Sequence, residues 1–248
     1  MACGTPFVAG DPNDGGAAGA AGAGGTTPAG TTSTGTGMGG TDPGGGTPGG
    51  TGPGGAGGCA AIPAGAPFPS TGILDGFNRP DGPLGGTWVG EVGHYGVEES
   101  RLKHAPPDEF QDSQILYGAT LCPDQEVYVT LTMVDHSASN FGLHLKVQDL
   151  SKCEEIEVDY ITETQQIEVW TCAGGVWTAH PPHVYHPLND GQQFGARATA
   201  SGQVEVYVDL ALVNTVDVSS WVHGSKPGRV GLAVWEGGFG LFDDFGGG

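Results

Sequence analysis

Residues 153–172 read CEEIEVDYITETQQIEVWTC, and this stretch decides the fold. Apolar and polar residues alternate from Glu154 to Thr162 and again from Gln166 to Thr171, which is the period of strands with one buried face. The polar residues between the two runs are typical of a turn. The segment therefore predicts an antiparallel β-hairpin.

The two cysteines that bound this hairpin predict its register. Pairing Cys153 with Cys172 places Ile156 opposite Val169, both on the inward side. The other pairs of this register are Val158 with Ile167 inward, and Glu155 with Trp170 and Glu157 with Glu168 outward. Because a shift of one residue would flip every side chain to the other face, the agreement between the apolar pattern and the cysteines is informative. We predict a Cys153–Cys172 disulfide.

The strand before the hairpin extends the pattern. A tight turn at Leu150 and Ser151 would let the run from Phe141 pair with the hairpin. In that register Lys146 lies opposite Glu157, and His144 lies opposite Asp159. We expect a three-strand meander with a polar, mostly acidic outer face.

Similar alternating runs occur along the rest of the chain from residue 126 onward. They begin at Glu126, Gln203 and Arg229, with turn residues between them, and we find no helix candidate of useful length. The pattern predicts an all-β fold, an antiparallel two-sheet β-sandwich.

The N-terminal quarter of the chain has a different composition. Between Val8 and Pro67 there is no aromatic residue, no Lys or Arg and few acids, and Gly, Thr, Ala and Pro predominate. Such a segment buries too little apolar surface to offset the entropy of ordering. We predict a disordered tether over residues 1–67, followed by one sandwich domain over residues 71–248.

The cysteines point to export. The start Met1-Ala2-Cys3-Gly4 resembles the end of a bacterial lipoprotein signal, so Cys3 is a candidate for lipidation; the alternative is an ordinary N-terminus with an incidental cysteine. Four cysteines remain and none forms a CxxC pair, which favours disulfides over zinc. A Cys59–Cys122 bond follows by elimination. No apolar run is long enough for a membrane-spanning helix.

The charge limits the partners. After residue 70 the chain holds 25 of its 28 acids and all eight Lys and Arg, which gives that part a formal charge of −17. A strongly acidic domain is a poor partner for nucleic acid or anionic lipid. Neutral glycans, cations and basic proteins remain open.

Four motifs in order along the chain carry a family resemblance. They are Asp75–Gly85 (DGFNRPDGPLG) followed by Trp88, Pro123–Tyr128 (PDQEVY), Gly228–Leu232 (GRVGL), and Asp243–Gly248 (DDFGGG). Together they resemble bacterial concanavalin A-like, laminin G-like jelly-roll domains. The resemblance implies a two-sheet jelly roll whose first and last strands are neighbours. Such domains include lectins, carbohydrate-binding modules, adhesive modules and glucanases, so the fold alone implies no reaction.

An acidic triplet makes an enzyme the alternative. Glucanases of this fold carry Glu-x-Asp-x-x-Glu or Glu-x-Asp-x-Glu on one strand, and here Glu157, Asp159 and Glu163 resemble that pattern. Glu163 comes one residue too late for the longer of these spacings, Glu-x-Asp-x-x-Glu, and falls in the predicted turn. We therefore interpret the triplet as a solvated acidic face and expect a binding module rather than an enzyme.

Two patterns raise the question of a metal. His180, His183 and His186 recur every three residues, but an extended Pro-rich backbone would separate them by about 9 Å, so a surface loop is expected. Asp75 would approach Asp243 or Asp244 if the first and last strands pair. Because hard cations bind carboxylate oxygens, a structural calcium ion is the cofactor expected there, with a plain turn role as the alternative.

The candidate ligand face combines outward aromatic and polar residues. It comprises Trp170, Glu157, Asp159, His144, Lys146 and Glu168, together with Tyr207, which alternation also places outward. Outward aromatic rings stack on sugars, although they are also ordinary strand formers. We expect an exported, non-catalytic surface module, lectin-like toward polysaccharide or a cell-envelope glycan. The alternatives are a glycoside hydrolase or lyase and a structural or adhesive protein.

Overall fold

The alternating runs of the sequence form β-strands. A computed structural model describes residues 59, 61–63, 65–105, 112–134, 140–235 and 240–248. Within these residues the strands are β1 (Ile73–Asp75), β2 (Gly82–Pro83), β3 (Trp88–Gly90), β4 (Tyr95–Glu98), β5 (Arg101–His104), β6 (Ser113–Tyr117), β7 (Gln125–Val134), β8 (Asn140–Asp149), β9 (Glu154–Ile161), β10 (Gln166–Ala173), β11 (Val176–Ala179), β12 (Val184–Tyr185), β13 (Gln193–Ala198), β14 (Gln203–Val208), β15 (Ala211–Asp217), β16 (Arg229–Trp235) and β17 (Gly240–Gly247). Two short 3-10 turns, Val92–His94 and Leu150–Lys152, are the helical elements of this part of the chain.

The strands pair antiparallel in two sheets. A nine-stranded sheet has the order β15-β14-β13-β7-β17-β5-β4-β2, and β1 pairs with β17 beside this path. An eight-stranded sheet has the order β11-β10-β9-β8-β16-β6-β3, and β12 also pairs with β10. Ile73 of β1 faces Gly246 of β17, so the first and last strands are neighbours. The all-β two-sheet sandwich expected from the sequence is confirmed.

The core lies between the two sheets. The inward residues of β8, β9 and β16, such as Leu143, Val158 and Leu232, meet those of β7 and β17, such as Leu131 and Phe242. All five are at most 1% exposed. Burying one such side chain stabilises the fold by about 1.5–3 kcal/mol, so apolar alternation on both sheets determines the sandwich.

The β9–β10 hairpin forms, but its register differs from the expected one by two residues. Val158 faces Val169, and Cys172 faces Glu155 rather than Cys153. The Cys153–Cys172 disulfide is present. Cys153 lies outside the ladder, at the end of the 3-10 turn with a left-handed φ of 53°. Because the shift is an even number of residues, every side chain keeps its predicted face.

Strand β8 corrects the expected position of Lys146. His144 faces Glu157 rather than Asp159, and the ladder with β9 breaks between Leu145 and Asp149. Lys146 has a positive φ of 52°. Its ammonium group donates to the carbonyl oxygens of Thr199, at 2.7 Å, and Gly224. The bulge turns Lys146 away from the acidic face.

The described residues from Cys59 to Thr71 lie against the nine-stranded sheet. The expected Cys59–Cys122 disulfide is present, and the amide of Ile62 donates to Asp124. Arg197 of β13 donates to the carbonyl oxygen of Pro67 at 2.9 Å. Contacts of the sandwich therefore begin before residue 71. Cys3 and the predicted tether up to residue 58 lie outside the described residues.

Candidate functional site

Strands β8, β9 and β10 place a polar set on the outer face of the eight-stranded sheet. Alternation directs their apolar residues into the core. The opposite face then receives His144 from β8, Glu155, Glu157 and Asp159 from β9, and Glu168 and Trp170 from β10. Cross-strand pairing brings His144 and Trp170 to opposite sides of Glu157. The polar set divides into a buried part and an open part.

The buried part consists of His144, Glu155, Glu157 and Asp159, which we call the carboxylate cluster. Their exposed fractions are 0%, 0%, 1% and 4%. The Nδ1 atom of His144 lies 2.7 Å from Oε2 of Glu155 and 3.6 Å from Oε1 of Glu157. The imidazole is therefore the group that faces two of the carboxylates directly.

The surroundings of Asp159 favour its protonated form. Burial raises the pKa of its carboxyl group well above the usual value, and the charges of Glu168 and Glu155 raise it further. Trp235 lies beside it across Gly142, because a Cβ at position 142 would be 2.6 Å from the indole ring and would also meet Asp159. Only glycine permits this close approach of Trp235 to the strand.

Burial of the cluster corrects part of the expected ligand face. His144, Glu157 and Asp159 are on the predicted face, but they are inaccessible to a polysaccharide as they stand. Lys146 has left the face altogether. An outer sheet face was expected to be solvated, and alternation alone cannot distinguish a solvated outer face from a buried one.

The open part of the face is the Trp170 rim, formed by Glu168, Trp170 and His183. The indole N–H of Trp170 donates to Oε2 of Glu168 at 2.9 Å. The other oxygen of Glu168 lies 3.3 Å from Nδ1 of His183, whose side chain is 32% exposed. The rings of Trp170 and His183 are 6.4 Å apart. The rim thus presents a part-exposed aromatic ring beside an acid and an imidazole.

The histidine-rich loop supplies one residue to this rim. Strand β12 pairs with β10, with Val184 opposite Ile167. This pairing brings His183 to Glu168, whereas the buried ring of His180 lies 2.8 Å from the Thr171 hydroxyl. Burial lowers the pKa of His180. The two histidines contact different partners, and no pattern in the sequence indicated that His183 would reach Trp170.

Tyr207 is not part of this face. It belongs to β14 of the nine-stranded sheet, and the ring of Phe68 stacks on it at 4.0 Å between centroids. Its exposed fraction is 7%. Alternation did place Tyr207 outward, but the segment before residue 71 covers it.

Asp75, the first expected calcium ligand, has four hydrogen bonds within the protein. Arg79 donates to both carboxylate oxygens, at 2.7 and 3.1 Å, and the Trp88 indole and the Phe77 amide donate as well. Burial raises the pKa of Asp75, but the bonds from Arg79, Trp88 and Phe77 outweigh burial and lower it. Asp243 accepts a bond from the amide of Asp244. Calcium at Asp75, Asp243 and Asp244 stays a prediction.

The acidic triplet is different from the one expected. Glu163 lies exposed in the turn after β9, as its spacing predicts. The three acids that share one face of the strand are Glu155, Glu157 and Asp159. The sequence signal for Glu155 was the alternation itself, two residues upstream of the triplet considered.

One group among the described residues has the proximity that a metal ion requires. Single ligand atoms of His144, Glu155 and Glu157 lie within 4.8 Å of one another. The His144 imidazole and the two carboxylates are all buried. Nitrogen and oxygen donors of this kind suit first-row divalent metals.

Comparison with solved structures supports the fold alone. A Crh5 transglycosylase matches with a TM-score of 0.52 at 14% identity, over 72% of this chain and 83% of that one. A β-glucanase of Bacillus licheniformis matches with a TM-score of 0.50 at 11% identity, over 72% and 98% of the chains. A galectin-like protein of unknown function from Bacillus subtilis matches with a TM-score of 0.50 at 9% identity, over 64% and 88%.

The sequence itself has no close match. No model of a known protein family matches it, and no curated protein does. What the structure shows is a two-sheet antiparallel β-sandwich with an aromatic and acidic rim on its eight-stranded sheet.

Proposed function

We propose that the protein is a non-catalytic module that binds neutral glycans at the Trp170 rim. The observation that carries the proposal is the part-exposed Trp170 ring, held by its bond to Glu168 and lying beside His183. An indole presents an apolar face that packs against the C–H groups of a sugar ring. The free hydrogen-bonding capacity of a carboxylate and an imidazole suits sugar hydroxyl groups.

The fold and the charge agree with this proposal. Proteins of the same fold include a transglycosylase, a β-glucanase and a galectin-like protein. The formal charge of −20 disfavours acidic polymers, since like charges repel. A neutral polysaccharide is not repelled by the negative charge of the protein.

The direct experiment is a glycan array followed by affinity measurement on the full chain. We expect Trp170→Ala to weaken binding of a retained neutral glycan at least about tenfold, equivalent to about 1.4 kcal/mol. Leu212→Ala is the matched control, because it truncates an exposed apolar side chain on the other sheet, 55% exposed. Retention of no neutral glycan, or equal affinity of wild type and Trp170→Ala, contradicts the proposal.

A glycoside hydrolase is the second candidate, favoured by the spacing of Glu155, Glu157 and Asp159 on one strand face. The raised pKa of Asp159 suits a general acid. Burial of all three acids weighs against it, because a glycosidic bond must reach between the carboxylates. We expect no release of reducing ends from β-glucan. Release that Glu157→Gln abolishes would favour the hydrolase instead.

Export and anchoring complete the proposal. Two disulfides are typical of proteins that fold in an oxidising compartment. Among the described residues no helix is long and apolar enough to cross a membrane. We propose a lipid on Cys3 as the anchor to an outer cell surface. Mass spectrometry of the N-terminal peptide from the native cell tests it, and an unmodified Cys3 thiol rules it out.

A structural calcium ion at Asp75, Asp243 and Asp244 is a separate part of the proposal. Adding calcium after chelator treatment should raise the melting temperature, since a ligand that binds only the folded state stabilises it. An unchanged melting temperature removes calcium from the account.

A further inference from the structure

The carboxylate cluster has an excess of negative groups for its burial. The cluster contains three carboxyl groups, and among the described residues His144 lies 2.7 Å from Glu155 and 3.6 Å from Glu157. Lys146 bonds to Thr199 and Gly224 instead. Removing a carboxylate from water costs several kcal/mol unless an opposite charge compensates it.

Hydrogen bonds do not compensate the burial of Glu155 and His144. Within the described structure, neither carboxylate oxygen of Glu155 and neither ring nitrogen of His144 has a well-aligned hydrogen bond. The 2.7 Å approach of His144 to Glu155 is close but poorly directed. Buried polar atoms nearly always have a partner, so fully buried Glu155 and His144 indicate that a group of positive charge belongs between them.

The spacing of the donor atoms matches a small divalent ion. Zinc binds imidazole nitrogen at about 2.0–2.1 Å and carboxylate oxygen at about 2.0–2.2 Å, in a tetrahedron. Two ligands of such a tetrahedron are about 3.4 Å apart. His144 Nδ1 lies 2.7 Å from Glu155 and 3.6 Å from Glu157, on either side of this value. Small rotations of the two carboxylates complete the site.

The ladder between β8 and β9 preorganises these donors. His144 and Glu157 are directly opposite each other, and Glu155 follows on the same face two residues away. Both strands are central in the eight-stranded sheet. Calcium is a poorer fit than zinc, because it takes six to eight oxygen ligands and this site supplies one nitrogen and two carboxylates.

We propose that His144, Glu155 and Glu157 bind one zinc-class divalent cation, with a water molecule as the fourth ligand. The ion neutralises the two buried glutamates and links β8 to β9 behind the Trp170 rim. The site does not depend on glycan binding, since none of its three ligands belongs to the rim.

The test is zinc stoichiometry on the full chain. After chelator treatment and addition of Zn²⁺, wild type should retain about one zinc per chain through gel filtration. Glu155→Gln should bind zinc at least about tenfold more weakly. Glu154→Gln is the matched control: Glu154 immediately precedes Glu155 in β9, its side chain is 24% exposed, and its carboxylate lies 4.0 Å from His223. The control should retain zinc as wild type does.

Two outcomes overturn the proposal: wild type that retains no zinc, and Glu155→Gln that binds it as tightly as wild type. If Glu155→Gln does not fold, as judged by circular dichroism, crystals of the wild-type protein grown with Zn²⁺ decide. Anomalous scattering at the zinc edge should place the metal about 2.0–2.2 Å from His144 and Glu155. A peak only elsewhere, or none, overturns the proposal.

Discussion

Asp75 fixes the opening turn of the sandwich through charged hydrogen bonds. Its carboxylate accepts two bonds from Arg79, and one each from the Trp88 indole and the Phe77 amide. Trp88 and Phe77 are core residues, 3% and 0% exposed. The aspartate thus ties the motif that carries the family resemblance to the hydrophobic core.

Asp75→Asn should lower the free energy of unfolding by about 2 kcal/mol at neutral pH, the usual worth of a hydrogen bond to a charged group. Because the pKa of Asp75 is lowered on folding, its contribution is present above the unfolded value and is lost as pH falls through the folded value. Urea denaturation at pH 7 and pH 3 measures both effects. Asp81→Asn is the control: Asp81 is an exposed loop residue that accepts from the Glu99 amide, as an asparagine still can, so stability should change by under about 0.5 kcal/mol. Equal effects of the two variants contradict this account.

Lys146 predicts a pH dependence in the alkaline range. Burial lowers its pKa to about 8, from 10.5 in the unfolded chain. Between these values the unfolded chain holds a proton that the folded chain has lost, so stability contributed by this group rises with pH. Below pH 8 the lysine is charged in both states and does not contribute to the pH dependence of stability.

Urea midpoints at pH 7.5, 8.5 and 9.5 test this effect. Lys146→Met should remove the rise, while Lys103→Met, which removes a surface partner of Glu98, should retain it. Readings stop below pH 10, because the buried Tyr95 and Tyr207, whose pKa values are raised, begin to lower stability above that pH. Parallel pH profiles for wild type and Lys146→Met would show that Lys146 is not the source.

The β9–β10 hairpin shows what the sequence predicts at the level of an element. The strands, their faces and the Cys153–Cys172 bond followed from alternation and cysteine spacing. The register did not, because Cys153 sits in a left-handed turn outside the ladder. The predicted position of Lys146 was wrong for a similar reason. The bulge at Lys146 depends on hydrogen bonds to Thr199 and Gly224, which are distant in the chain.

The candidate site was predictable only in part, for the same reason. Trp170 and Glu168 were placed correctly on the outer face, since a period of two suffices for that. The burial of the carboxylate cluster depends on contacts between segments far apart in the chain. The position of His183 beside Glu168 and Trp170 does so as well. Alternation carries no information about such contacts.

Opening the Cys153–Cys172 bond should destabilise the hairpin's end of the sheet. The cysteines are 19 residues apart, and the chain-entropy argument gives about 3 kcal/mol for a loop of that size. The double variant Cys153→Ala/Cys172→Ala should lose this amount in urea denaturation. A loss below about 1 kcal/mol would show that β9 and β10 are held by pairing and packing alone.

At the scale of the whole molecule, the described segment before β1 covers part of the outer face of one sheet of the acidic sandwich. Residues before β1 cover Tyr207 and bond to Arg197, so the nine-stranded sheet is partly closed on its outer side. The eight-stranded sheet keeps the Trp170 rim accessible. This asymmetry is a reason for our proposal that the eight-stranded sheet binds the ligand.

The indole N–H signals of the tryptophans provide the most direct measurement of glycan binding at the Trp170 rim. Trp170 donates to part-exposed Glu168, while the buried Trp88 and Trp221 donate to Asp75 and to the carbonyl of Cys172. Trp170→Phe identifies the Trp170 signal. Titration with the neutral oligosaccharide that the array retains best should shift that signal and leave those of Trp88 and Trp221 in place. A saturating titration that leaves the Trp170 signal unmoved contradicts glycan binding at the Trp170 rim.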